Sequence, residues 1–112
     1  MDTKQYLGKL IEVVVDRPVG SLHPKYKFVY EINYGYVPGT KSPDGDEIDV
    51  YIVGVKGSIK KFSGRCIAII RRTNDIDDKL VVAPEGLKYT NETIEKLINF
   101  QEQWFQHRII RN

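Results

Sequence analysis

Four acidic residues crowd one glycine in Asp44-Gly45-Asp46-Glu47-Ile48-Asp49, and the segment runs straight into the apolar Val50-Tyr51-Ile52-Val53. Carboxylates packed this closely repel one another unless a positive charge sits among them. Oxygen-only donors suit hard cations, Mg²⁺ or Mn²⁺, rather than zinc. The loop departs from the EF-hand calcium pattern, because its glycine directly follows the first aspartate and no glutamate closes the loop twelve positions along. An acidic Asp-Gly segment is also a common solvated hairpin turn, so the remainder of the chain decides between the two.

A second acidic cluster, Asp75-Ile76-Asp77-Asp78, is followed at once by Lys79. If two acidic loops that each abut a strand meet at one rim of a small sheet, they supply carboxylates for more than one divalent ion. Paired ions serve in-line displacement at phosphorus. A phosphate substrate also needs cations and donors. Arg17 suits a bidentate phosphate clamp, and Lys79 and Lys25 are candidate point charges. Tyr30, Tyr34 and Tyr36 have the even spacing that puts side chains on one face of a strand. Their hydroxyls are candidate phosphate donors, with Tyr36 expected to be a packing residue with a wet tip. His23 and His107 are weak signals, and no serine stands in a histidine-plus-acid pattern.

The elements that must position these groups are short. Residues 10–15 are β-branched and apolar and stop at Asp16-Arg17-Pro18, which predicts a strand. Pro18, Gly20 and Pro24 predict an irregular loop over 16–26. Further strands are expected over 28–36, 49–55, 65–70 and 80–83. Only the C-terminal part is helical in pattern. Thr90 or Asn91 can cap it, and Ile94, Leu97, Ile98, Gln101, Trp104 and Phe105 recur at three-and-four spacing as a face to dock on the sheet. Five short strands followed by a helix imply a mainly β fold, a small curled antiparallel sheet or barrel with the C-terminal helix packed on it.

The 112 residues are enough for one domain, spanning 1–112, and the formal net charge of +2 arises from 17 basic and 15 acidic residues that are interspersed. That argues against a nucleic-acid arm, which shows a concentrated basic run. The lone Cys66 lies in an apolar run and reads as a small buried hydrophobe. The first residues lack a signal-peptide pattern and no apolar run reaches transmembrane length, so a cytoplasmic protein with no membrane partner is expected.

Taken together, three blocks resemble the soluble family I inorganic pyrophosphatases. Asp44-Gly45-Asp46-Glu47-Ile48-Asp49-Val50 resembles the aspartate signature of that family. Tyr30-Glu31-Ile32-Asn33-Tyr34-Gly35-Tyr36-Val37-Pro38-Gly39-Thr40 resembles the segment before it, and Asp77-Asp78-Lys79-Leu80-Val81-Val82-Ala83-Pro84 the second acidic segment. The blocks occur in the family's order and span residues 30–84, about half of the chain.

The resemblance implies a five-stranded OB-like barrel and Mg²⁺-dependent hydrolysis of pyrophosphate without a phosphoenzyme, with Mn²⁺ as an alternative ion. It implies Asp44, Asp49, Asp77 and, in a segment shorter than usual, Asp75 as metal ligands. Asp46 corresponds to the general base and Tyr34 to the tyrosine beside the attacking water. Arg17, Tyr30 and Lys79 correspond to phosphate-site residues. The chain departs from the family by its shortness, by extra residues between Arg17 and Tyr30, and by lacking a hairpin that bears a lysine and a glutamate of the site. Glu12 and Lys25 are the candidates to stand in for that pair. The family's helical Tyr-Lys pair falls at Trp104-Phe105, which offers no cation, so the cationic side of the pocket is expected to be thinner. Family members assemble, which makes a homo-oligomer an expectation too.

Two other readings stay open: a pyrophosphatase-like binding or interaction protein with little turnover, and a phosphohydrolase for another small phosphoanhydride. Asp46 favours an enzyme, since a pure binder has no use for a base beside the ion. An OB-like nucleic-acid binder would mix its aromatics with a basic groove; here they accompany carboxylates.

Overall fold

A computed structural model describes residues 2–43, 45–73 and 77–112. After a single 3₁₀ turn at Thr3–Tyr6 come β1 (Leu10–Arg17), β2 (Asn33–Tyr36), β3 (Asp49–Ile52), β4 (Lys61–Arg72), β5 (Asp78–Ala83), α1 (Asn91–Glu102) and β6 (His107–Ile110). The sheet order is β1-β2-β3-β5-β4-β6, and β1 also pairs with β4. Five strands thereby close into a barrel, and β6 adds to β4 outside it. No helix among the described residues is long and apolar enough to cross a membrane.

Alternation along the strands sorts side chains into two cores. Ile11, Val13, Val50, Ile52, Cys66, Ile69, Leu80 and Val82 form one cluster. The opposite faces of the same strands supply Tyr51, Val53, Ala68, Ile70, Val81 and Ala83, which pack with Ile94, Ile98 and Phe100 of α1. β3 and β5 are buried on both faces, which explains why they read as unbroken apolar runs rather than alternating ones. Cys66 is 1% exposed and burial pushes its thiol up to about 11, in keeping with a packing role.

Several elements depart from the expectations. The sheet is mixed rather than antiparallel, because β3 and β5 run parallel. Only Asn33–Tyr36 of the stretch 28–36 joins the sheet. The backbone of Tyr30 is instead spent on Gly20 and Ser21, at 2.9 Å each, which folds residues 20–30 into a small side hairpin. β4 is longer than the apolar run 65–70, since its polar first half pairs with β1 and its last residues with β6. The helix starts where Thr90 caps it, its side chain accepting from the Thr93 amide at 3.1 Å. It ends at Glu102, where the chain turns to lay β6 beside β4. Trp104 and Phe105 therefore follow the helix instead of lying on its face, and neither is core: they are 60% and 42% exposed.

Candidate active site

The parallel register sets Asp49 beside Lys79 at the starts of β3 and β5. Lys79 Nζ donates to Asp49 Oδ2 at 2.8 Å and lies 5.6 Å from the centre of the Tyr34 ring. Because both strands begin at the same edge, Glu47 and Ile48 leading into β3 and Asp77 leading into β5 come to one rim of the barrel. Burial favours the neutral amine of Lys79, yet the oxygens of Tyr34 and Asp49 outweigh it and hold the pKa above the ordinary lysine value. Tyr34 is buried, and burial raises its pKa well beyond the usual tyrosine range, so its hydroxyl stays protonated.

A cavity of about 620 Å³ opens on this rim. Its lining combines charged and polar groups, Asp16, Arg17, Asp49, Arg72, Lys79 and Gln101, with the rings of His23, Phe28, Tyr30, Tyr34, Trp104 and Phe105. A bulge in β1 between Val15 and Arg17 offsets the ladder where Arg17 and Asp16 enter the cavity. Burial raises the Asp16 carboxyl pKa, and the charges of Asp49 and Glu47 add to it.

Arg72 reaches the cavity from the end of β4 on a buried support. Its Nε and Nη2 donate to Glu102 at 3.0 and 2.7 Å, and Glu102 is fully buried. Tyr51 donates to the same carboxylate at 2.5 Å and accepts from Gln101 Nε2 at 2.7 Å. The Arg72 guanidinium lies 3.7 Å from the centre of the Phe105 ring. A cation therefore stands at the Trp104-Phe105 turn after all, delivered by β4 rather than by the helix.

Of the residues singled out in the sequence, Arg17, Tyr30, Tyr34, Asp49 and Lys79 converge on this cavity. Asp46 is exposed on the turn that enters β3, its carbonyl accepting from the Ser42 amide at 2.7 Å. Asp77 precedes β5 with its Oδ1 buried. Asp44 and Asp75 lie outside the described residues. Glu12 is not brought to the cavity: it sits opposite Ser63 in the β1–β4 ladder and lines a different cavity with Val14, Pro38 and Lys61. Lys25 is not brought there either. It is exposed on the side hairpin, with its Nζ 5.3 Å from the centre of the Tyr26 ring. Asp78 serves the fold, accepting from Arg71 at 2.9 Å and from Thr3 at 2.5 Å.

Sequence reasoning missed Asp16, Arg72 and Glu102. Signals existed for the last two. Ala68, Ile70 and Arg72 share a strand face, and Ile94, Ile98 and Glu102 share a helix face, so a guanidinium and a carboxylate were each aligned with core residues.

For a divalent ion the donor chemistry fits: the carboxylates of Asp16 and Asp49 at the rim are all-oxygen donors. Among the described residues no three acidic, histidine or cysteine side chains already converge on one point.

The family model described as inorganic pyrophosphatase matches residues 6–110. The inorganic pyrophosphatase of Rickettsia typhi is 28% identical over 109 residues, which cover 78% of this chain and 61% of that protein. The chain thus spans about six-tenths of the length of that relative. Among solved structures, the inorganic pyrophosphatase of Ehrlichia chaffeensis superposes with a TM-score of 0.69 at 16% identity, over 94% of this chain and 87% of the other. That of Neisseria gonorrhoeae gives 0.61 at 23% identity, over 88% and 79%. At such identities the structural likeness speaks for the fold, and the family model speaks for descent. With that model covering nearly its whole length, the chain belongs to the inorganic pyrophosphatase family.

Proposed function

We propose that the chain hydrolyses inorganic pyrophosphate to two phosphates with the help of Mg²⁺, for which Mn²⁺ can substitute. The observation that carries this reading is the Asp49–Lys79 pair at 2.8 Å on the rim of a cavity that also holds Arg17, Tyr30 and Tyr34. Carboxylates for a hard cation and cations for phosphate oxygens lie side by side there, as phosphoryl transfer requires.

In this reading Asp44, Asp49, Asp75 and Asp77 hold the ion or ions. When bound, these supply Lewis-acid charge that neutralises the phosphate oxygens. Arg17 and Lys79 grip the substrate, joined by Arg72, whose geometry is fixed by Glu102. Tyr30 and Tyr34 donate hydroxyl hydrogen bonds; the raised pKa of Tyr34 keeps its proton in place for that purpose. Asp46 accepts a proton from the attacking water. Arg72 fills the cationic role that the helical pair has in other members, so the pocket is less depleted than Trp104 and Phe105 by themselves imply.

Metal dependence gives the test. An ion that binds only the folded protein raises stability by about 2.7 kcal/mol at a hundred times its dissociation constant. The melting temperature is expected to climb as Mg²⁺ is titrated into EDTA-treated protein. Asp49→Asn removes a ligand charge, so the climb should need more Mg²⁺, and excess metal should partly restore phosphate release from pyrophosphate. Superimposable melting curves in EDTA and in millimolar Mg²⁺ would overturn the metal site.

A further inference from the structure

We propose that this cavity accepts nucleoside phosphates, with the phosphate on Arg17, Arg72 and Lys79 and the base against an aromatic wall made by His23, Phe28 and Trp104. The inference rests on the phosphate-binding reading of the same cavity and adds an occupant for its rings.

The cavity is large for pyrophosphate. Roughly 300–1,000 Å³ is the range of pockets that enclose organic ligands of drug size, and 620 Å³ sits in the middle of it. Pyrophosphate is far smaller, even with ions beside it. Its lining is also rich in rings. Three cations, Arg17, Arg72 and Lys79, share the lining with the rings of His23, Tyr26, Phe28, Trp104 and Phe105. A bare phosphate compound gains nothing from rings, and rings exposed beside a charged site lose the burial they would have in a core.

The wall is also built. Phe28 and Trp104 lie 5.4 Å apart with planes inclined by 31°, and His23 and Phe28 lie 4.8 Å apart inclined by 34°. Phe28 is backed by Phe100 of α1 at 6.2 Å. His23 is locked by its Nδ1, which accepts from the amides of Lys25 and Tyr26 at 3.1 Å each. Its proton must then reside on Nε2, as a donor suited to a base edge. The side hairpin that holds His23 and Phe28 is itself tied down by the Gly20, Ser21 and Tyr30 backbone bonds. Trp104 is 60% exposed although it lines the cavity. A planar base laid on these rings buries that surface, and stacking of this kind tolerates any base.

Trp104 is the chain's one tryptophan, so its emission reports on the wall directly. The experiment titrates AMP, ribose 5-phosphate and pyrophosphate into the protein in Mg²⁺, following Trp104 fluorescence and calorimetric heat. AMP and ribose 5-phosphate share phosphate and sugar and differ only in the base. AMP is expected to bind about ten-fold more tightly or better and to quench Trp104, whereas ribose 5-phosphate leaves the emission nearly unchanged. In Trp104→Ala, an exposed position whose folding is checked by melting, the affinity ratio should fall towards one by calorimetry. Equal affinities for AMP and ribose 5-phosphate, with pyrophosphate still bound, overturn this proposal and leave the pyrophosphatase reading standing. A preference for AMP that survives intact in Trp104→Ala overturns the wall. Should none of the three bind, the phosphate-site reading falls and this proposal falls with it.

Discussion

Glu102→Ala is expected to cost about 3–5 kcal/mol of folding stability, because it leaves the buried Arg72 guanidinium without its counter-charge. Against a total of roughly 5–15 kcal/mol for a domain, that is a large share, and the melting temperature should fall by about 10 °C or more. The ion pair itself need not be the stabilising feature. Replacing both partners, as in Arg72→Met with Glu102→Leu, removes the buried charges together and is expected to recover most of the loss. The same double variant lacks the Arg72 cation, so its KM for pyrophosphate should rise with kcat less affected, the mark of lost uniform binding. Stability and substrate grip are thereby read separately. A Glu102→Ala protein that melts within a degree or two of the parent would contradict the buried pair.

The pair also sets a sign for acid sensitivity. Burial pushes the Glu102 pKa up, but Arg72 and Tyr51 outweigh it and hold the carboxyl below its ordinary value of 4.5. A depressed folded pKa means stability that is present above pH 4.5 and is lost as the pH falls towards the folded value. The double variant should therefore lose less stability on acidification below pH 4.5 than the parent does.

Asp46→Asn is expected to slow pyrophosphate hydrolysis by about a hundred- to ten-thousand-fold, the usual worth of a general base. Asparagine keeps the shape and cannot take a proton. Asp46 stands exposed on the turn into β3, so the change should leave the fold and its melting temperature nearly untouched. Excess Mg²⁺ should not rescue it, in contrast with Asp49→Asn. Full rescue by added metal would mean that Asp46 holds an ion rather than moves a proton.

What could be read in the sequence followed from local chemistry. The strands were visible wherever alternation or a doubly buried run marked them, and the two acidic loops stood out because each abutted such a run. That β3 and β5 begin at one rim follows from their parallel pairing, which no local pattern encodes. β6 escaped notice because four residues, two of them polar, carry little periodicity; it exists by adding to the end of β4. The 28–36 stretch has strand-like composition throughout, yet Tyr30 satisfies its backbone on the side hairpin instead. Trp104 and Phe105 fitted the helical spacing, but the chain had to leave α1 at Glu102 to reach β4. Arg72 and Glu102 are 30 positions apart, and the meeting of two charges in a core is a tertiary fact. Glu12 and Lys25 illustrate the converse: an acid and a base of the right types stood near the right segments, and the ladder and the hairpin took them elsewhere.

The most direct test of the central claim is release of inorganic phosphate from pyrophosphate by the purified protein, measured in Mg²⁺ and again in EDTA. Steady release of two phosphates per pyrophosphate is expected in Mg²⁺, and its disappearance in EDTA. A folded protein that releases no phosphate from pyrophosphate in either Mg²⁺ or Mn²⁺ would contradict that claim.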